Sequence, residues 1–199
     1  MPYEITRRFE TALCAYTGAP FAVAVNSGTA ALLLACELEA KNYGRRTVTI
    51  PKRTYVSVPM AIIRAGHRVA WCDRYWRGAY QLQPLPVWDC ARRFTSGMYA
   101  AGQVQCVSFA AAKILGAEQG GAILHDNPSA DAWFRRMRFD GRTEGVNPAD
   151  DTFDLLGHHC IMIPSVAATL LVRLYPTSKH NADLPDHPDP DLSQHPAFK

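Results

Sequence analysis

Polar and apolar positions along the chain fall into short runs whose period switches between that of a helix and that of a strand. Residues 5–16 set Phe9, Leu13 and Tyr16 on one helical face, and Gly18-Ala19-Pro20 ends the run. FAVAV (21–25) is apolar throughout and predicts a buried strand. Asn26-Ser27-Gly28-Thr29 follows as a turn, and AALLLACELEAKNY (30–43) as a helix closed by Gly44. The alternation continues with a strand at 47–51, a helix at 54–65 disturbed in its first turns by Pro59, and a strand at 67–73. Further strands are expected at 85–91, 104–109 and 120–126, and helices at 129–138 and 164–174. Strands alternating with helices predict an α/β fold of three layers, a mostly parallel sheet with helices on both faces. That domain is expected over residues 1–175. From Pro176 onward the chain is rich in Pro, Asp and His and poor in apolar residues, which predicts a mobile tail over 176–199.

Composition narrows the class without naming a function. The 199 residues suffice for one substantial core, and 48% hydrophobic with 20% charged residues is ordinary for a globular chain. A net charge of +3 is too weak by itself to imply a nucleic-acid partner. Six cysteines are scattered, mostly among apolar neighbours, with no CxxC pair, and read as reduced core thiols of an intracellular protein. The N-terminal MPYEITRRFE lacks the apolar core of a signal peptide. No stretch approaches the roughly 20 apolar residues a membrane helix needs. A cytoplasmic location with no membrane partner is therefore expected.

Open parallel sheets bind ligands beyond the carboxyl ends of their strands, and three polar features lie there. The first is Ser27-Gly28-Thr29, between a strand and a helix start. Backbone N–H groups at such a terminus attract anions, hydroxyls add donors, and glycine admits close approach, although a plain Ser or Thr helix cap has the same signature. The second is Asp89, which ends an apolar strand and can cap the next segment, pair with a buried cation or serve chemistry. The third is Ser108, five residues before Lys113 in SFAAAKILGAEQGGAIL. Lys113 either snorkels to solvent or, as its small apolar neighbours suggest, is held out of water. Burial disfavours the ammonium, and a neutral lysine amine forms a Schiff base with an aldehyde. A phosphate cradle, a carboxylate, an apolar face and such a lysine are together what pyridoxal 5′-phosphate (PLP) needs.

These residues carry a family resemblance. FETALCAYTGAPFAVAVNSGTAALLLA, PKRTYVSVPMAIIRAGHRVAWCD, VWDCA, SFAAAKILGAEQGGAIL and LLGHHCIMIPSVAATLLVRL follow one another as do the corresponding segments of the DegT/DnrJ/EryC1/StrS family. The chain resembles these PLP-dependent sugar aminotransferases of fold type I from about residue 5 to 175. The resemblance implies the large, PLP-binding domain of the aspartate aminotransferase fold, with a Schiff base on Lys113 and proton transfer by the same lysine. It implies that Asp89 keeps the pyridine nitrogen protonated. Ser27, Gly28, Thr29, the backbone of Ala30, and Ser108 would hold the phosphate, and Tyr55 would stack on the ring. An amino donor, a sugar or related keto acceptor, and a homodimer with shared active sites follow from the same resemblance.

The chain also departs from the family pattern. Where relatives carry Gln or His three residues after the acidic strand end, this chain has Arg92, whose guanidinium fork suits the cofactor's phenolic oxygen, a substrate carboxylate or a phosphate. Where relatives carry an Asn that reaches the partner subunit's phosphate, this chain has His159. No metal site is expected from His158, His159 and Cys160, because adjacent residues rarely converge on one ion. Family members are longer, so most of a C-terminal domain is expected to be missing. Two other functions compete with amino transfer. One is a PLP-dependent decarboxylase or lyase, in one version acting on a modified nucleotide or DNA through the arginine pairs at 7–8, 45–46, 92–93 and 135–136. The other is a non-catalytic partner protein on the same fold.

Overall fold

The computed structural model describes residues 3–185 and 188–198. Helix α1 (Glu4–Thr17) buries Phe9 and Leu13, one turn apart, as the spacing predicts. Strand β1 (Phe21–Val25) leads into helix α2 (Gly28–Tyr43), which is apolar around most of its circumference and correspondingly buried. Strand β2 (Thr47–Pro51), helix α3 (Ser57–Arg64) and strand β3 (Arg68–Cys72) follow. Helix α3 begins three residues later than the apolar pattern predicts. Pro59 thereby falls in its first turn, where a missing N–H costs no hydrogen bond. Then come β4 (Tyr80–Gln81), β5 (Val87–Asp89), β6 (Val104–Ser108), β7 (Gly121–His125), α4 (Pro128–Met137) and α5 (Pro164–Leu174).

Strands β1, β7, β6, β5 and β4 form one sheet in that order, and β2 pairs with β3 in a second. Strands β5 and β6 are parallel, as are β2 and β3, whereas β7 runs antiparallel to both of its neighbours and β4 antiparallel to β5. Gln83, just beyond β4, exchanges two backbone hydrogen bonds with Thr49 of β2 in an antiparallel bridge, which joins the two sheets. Five of the seven strands (β1, β2, β3, β5 and β6) therefore point the same way, and β4 and β7 oppose them. Strand β4 has no period of its own in the sequence, being two residues long.

Alternation along the strands divides the core in two. Val23, Val25, Cys106 and Ile123 face one cluster with Leu34 of α2 and Ile62 of α3. Ala22, Ala24, Val107 and Leu124 face the other with Phe9 of α1 and Leu170 of α5. Side chains two residues apart thus serve the same face and both faces are covered by helices, which is the three-layer arrangement the sequence predicts.

Two features were not foreseen. Glu10 and Arg138 are almost fully buried and joined to each other, and Glu10 also binds Arg135 (2.7 Å) and the Ala24 amide (2.9 Å). Arg138 reaches on to Glu144 (2.7 Å), which holds Arg7 (2.6 Å). The second feature concerns the segment expected to be a mobile tail, whose described residues lie against the domain. Asp183 takes Arg93 in a two-pronged pair (2.9 and 2.7 Å), and the Leu184 amide donates to the Arg92 carbonyl (2.9 Å). The Leu192 amide donates to the Lys52 carbonyl (2.9 Å), and the Leu192 side chain is buried. Composition could not show this, because two ion pairs, Arg93–Asp183 and Lys52–Asp191 (3.3 Å), and one apolar anchor seat a segment that is otherwise polar.

Candidate active site

The carboxyl ends of β1, β5 and β6 and the start of α2 converge on a cavity of about 330 Å³. Ser27, Gly28, Thr29, Tyr55, Asp89, Ser108 and Lys113 all line it. Seven of the residues singled out from sequence are thus brought together from segments far apart in the chain. Ser57, Glu118 and Gln119 also line the cavity and were not foreseen.

The turn is built for close approach. Ser27 caps α2, its Oγ accepting from the Ala30 amide (3.1 Å), so Ala30 reaches the site through its backbone. The Thr29 hydroxyl donates to Ser57 Oγ (2.8 Å). A Cβ on Gly28 would stand 2.9 Å from the Ser108 Cβ, and one on Gly121 would stand 2.5 Å from the Ser27 carbonyl carbon. Glycine at 121 therefore lets β7 run beneath the turn, which explains the glycine pair after the lysine loop. Gly121→Ala is expected to cost about 1–3 kcal/mol through overpacking, because its neighbour is backbone and cannot rotate away. Thermal denaturation measures the loss, and anion binding at the displaced turn should weaken with it.

Asp89 is buried, and desolvation pushes its carboxyl above the usual range. The Ala91 amide (2.9 Å), the Lys113 ammonium and the Tyr80 hydroxyl act in the opposite direction. Tyr80 stands directly across from Asp89 in the β4–β5 register, and its hydroxyl also meets Thr54 Oγ1. Sequence reading missed Tyr80, since no local signal shows which residue a strand will face. Lys113 lies on the turn after β6, half-buried. Burial pulls its amine below the ordinary lysine value, Asp89 resists that shift, and Arg92 adds to it. The pair is thus a carboxyl whose ionised form is disfavoured by burial and an amine inclined to lose its proton.

The raised Asp89 value has a consequence for stability. Ionised Asp89 is less favoured in the fold than in the unfolded chain. The cost is absent below its ordinary pKa of 3.8 and fully present above the raised value. Asp89→Asn is therefore expected to leave the ligand-free protein at least as stable as wild type at neutral pH, while impairing chemistry at the site. Urea denaturation at pH 7 and pH 4 checks the sign, since the difference should shrink at the lower pH.

The remaining candidates lie elsewhere. Arg92 lines a neighbouring cavity with Lys52, Arg53, Arg74 and Trp76. His159 is exposed and pairs with Asp140 (2.8 Å), and His158 turns to Glu37 (2.9 Å), so the adjacent histidines face different carboxylates. Among the described residues no group of three or more His, Cys, Asp or Glu could hold a metal ion. No helix among them is long and apolar enough to cross a membrane. Of the arginine pairs considered for nucleic acid, Arg7, Arg93, Arg135 and Arg136 are each engaged by a carboxylate.

The fold is that of the fold type I aminotransferases. The chain superposes on the sugar aminotransferase CalS13 from Micromonospora echinospora with a TM-score of 0.75, at 20% identity, covering 87% of this chain and 61% of that one. AtS13 from Actinomadura melliaura gives a TM-score of 0.73 at 20% identity, covering 87% and 60%. PseC from Helicobacter pylori, an aminotransferase involved in the biosynthesis of pseudoaminic acid, gives 0.69 at 15% identity, covering 87% and 58%. The chain thus spans about three-fifths of the length of these relatives. In sequence, residues 1–87 match the model of the DegT/DnrJ/EryC1/StrS aminotransferase family, so the resemblance read from the motifs is borne out over that stretch. No curated protein matches the chain in sequence.

Proposed function

We propose that the chain binds PLP in the Lys113 cavity and transfers an amino group from an amino acid to a sugar or related keto substrate. The observation that carries this reading is the meeting of Asp89, Lys113 and the N-terminus of α2 in one cavity. The residues present fit the cofactor. There is a cradle of donors at Ser27, Thr29 and Ser108, a Gly28 that a side chain would displace, a buried carboxylate, and an amine whose proton is loosened. When bound, PLP supplies an electron sink for negative charge beside the reacting amine.

The chain's own residues do the rest. The Lys113 amine would hold the cofactor and would carry a proton to and from the substrate carbon. The Asp89 carboxylate would hold a proton on the ring nitrogen, and the Ala91 amide (2.9 Å) fixes the orientation of that carboxylate, with Tyr80 opposite it in the sheet. The turn at 27–29 and Ser108 anchor the phosphate, helped by the α2 dipole. Tyr55, 64% exposed at the cavity edge, would cover a ring face.

A homodimer with shared sites fits the exposure of Phe153 (57%), Leu156 (95%) and Ile163 (46%), in the segment that would face a partner subunit and that carries His159. Six free thiols, four of them buried, fit a reducing compartment such as the cytoplasm. The test is a titration of the purified protein with PLP, followed by visible absorbance with a panel of amino donors. A new visible band that a donor then bleaches, with release of the keto acid, supports the reading. A protein that develops no band, or whose band no donor changes, refutes it.

A further inference from the structure

Beside the Lys113 cavity lies a second, smaller one of about 210 Å³. Four cationic side chains line it, Lys52, Arg53, Arg74 and Arg92, with Trp76 forming part of the wall. Two of the four cations are already used. Lys52 pairs with Asp73 (2.8 Å) and Asp191 (3.3 Å), and Arg53 pairs with Asp73 (3.2 Å). Among the described residues, no side chain hydrogen-bonds or ion-pairs with the guanidinium of Arg74 or Arg92. A guanidinium that lines a cavity without a carboxylate partner is poised for a ligand oxyanion, which its fork grips at two points.

This annex connects to the reacting groups. Arg92 follows Asp89 by three residues, and its charge is felt at Lys113. Trp76 packs on Tyr80 with ring centroids 4.6 Å apart, and Tyr80 stands opposite Asp89 in the β4–β5 register. The Trp76 ring is itself fixed by its Nε1–H donating to the Arg53 carbonyl (2.8 Å). Asp189, from the C-terminal segment, also lines the annex and acts on both Lys113 and Asp89. As a negative charge on the annex wall, it opposes the entry of an anion.

We propose that the annex is the subsite for an oxyanion group, a carboxylate or a phosphate, at the non-reacting end of the substrate. Arg92 grips that group, and Asp189 competes with it. The assignment rests on the PLP reading for its link to catalysis, but anion binding itself does not need the cofactor.

The test uses the PLP-free full chain and its intrinsic fluorescence at fixed ionic strength, because exposed charge interactions are salt-dependent. Glutarate and inorganic phosphate are titrated separately, with glutaramide as the uncharged control. A saturable change with either anion, lost in Trp76→Phe and not produced by glutaramide, is expected. A response to glutarate alone identifies a carboxylate group, and a response to phosphate alone that Arg92→Gln weakens identifies a phosphate ester, since phosphate held by the turn at 27–29 would not depend on Arg92. Arg92→Gln should weaken binding by at least about tenfold, the usual size of a charge-assisted hydrogen bond. Arg92→Lys should fall between, and Asp189→Asn should bind more tightly than wild type. Arg8→Gln, on an exposed pair with Glu4, should leave the affinity unchanged. Absence of saturable binding, or unchanged affinity in a folded Arg92→Gln protein, overturns the proposal. A normal PLP band without anion binding would overturn the subsite alone. Anion binding without a PLP band would overturn the cofactor reading and leave the subsite standing.

Discussion

Lys113→Ala is expected to slow the donor half-reaction by roughly 10²- to 10⁴-fold, the range by which a positioned acid–base group accelerates proton transfer. Stopped-flow absorbance after mixing PLP-loaded protein with an amino donor measures it. The fold should survive, because Lys113 is half-buried on a turn and makes no side-chain hydrogen bond among the described residues. Its stability effect has a defined sign. Burial lowers the amine's pKa, so the charged form is disfavoured in the fold. That penalty is present below the lowered value and fades as pH rises through it toward the ordinary 10.5. Removing the lysine therefore should not destabilise the protein at neutral pH. In wild type, covalent attachment of PLP should rise with pH around a midpoint below 10.5, and Arg92→Gln should move that midpoint upward, because Arg92 is one cause of the shift. An unchanged half-reaction in Lys113→Ala would remove this lysine from the chemistry.

Arg138→Met is expected to cost about 3–5 kcal/mol, the usual loss when one member of a buried ion pair is removed. At this chain length each kcal/mol is worth about 2–4 °C, so the melting temperature should fall by roughly 6–20 °C. The physical reason is that Glu10 would keep its burial and the Ala24 amide but lose the guanidinium that reaches it inside the core. Arg135, at the edge of the cluster, would remain as its only cation among the described residues. The double variant Glu10→Leu with Arg138→Met should recover part of the loss, since no unpaired charge then stays buried. The cluster should also weaken in acid. Burial pushes Glu144 up, but Arg138 and Arg7 hold it below its ordinary 4.5. Its contribution is therefore present above that value and lost as pH falls through the lowered one. Urea denaturation of the three proteins at pH 7 and pH 4 checks both statements.

Much of the architecture was legible because it is local. Val23 and Val25 against Ala22 and Ala24 report a strand covered on both faces, and Phe9 with Leu13 reports a helix with one buried side. The site was legible for a related reason: each part carries its chemistry within a few residues. Ser27-Gly28-Thr29 is a strand-to-helix turn, Asp89 a strand end, and Lys113 a cation among small apolar neighbours, and the three meet in one cavity. Arg92 was recognised as unusual, but its place in an adjoining annex could not be read from a neighbour three residues away.

The sequence by itself determined the class of fold, the positions of most helices and strands, and seven of the residues that line the Lys113 cavity. Those depend on periods of 3.6 and 2 and on residue chemistry, both written along the chain. Only the tertiary structure decided that Tyr80 faces Asp89, that Glu10 and Arg138 bury their charges together, and that Asp183, Asp189 and Leu192 return to the domain beside the site. Each of these joins residues whose separation along the chain carries no period. Strand register and the pairing of distant charges are settled by packing in three dimensions, where burial makes an unpartnered polar group too costly to leave alone.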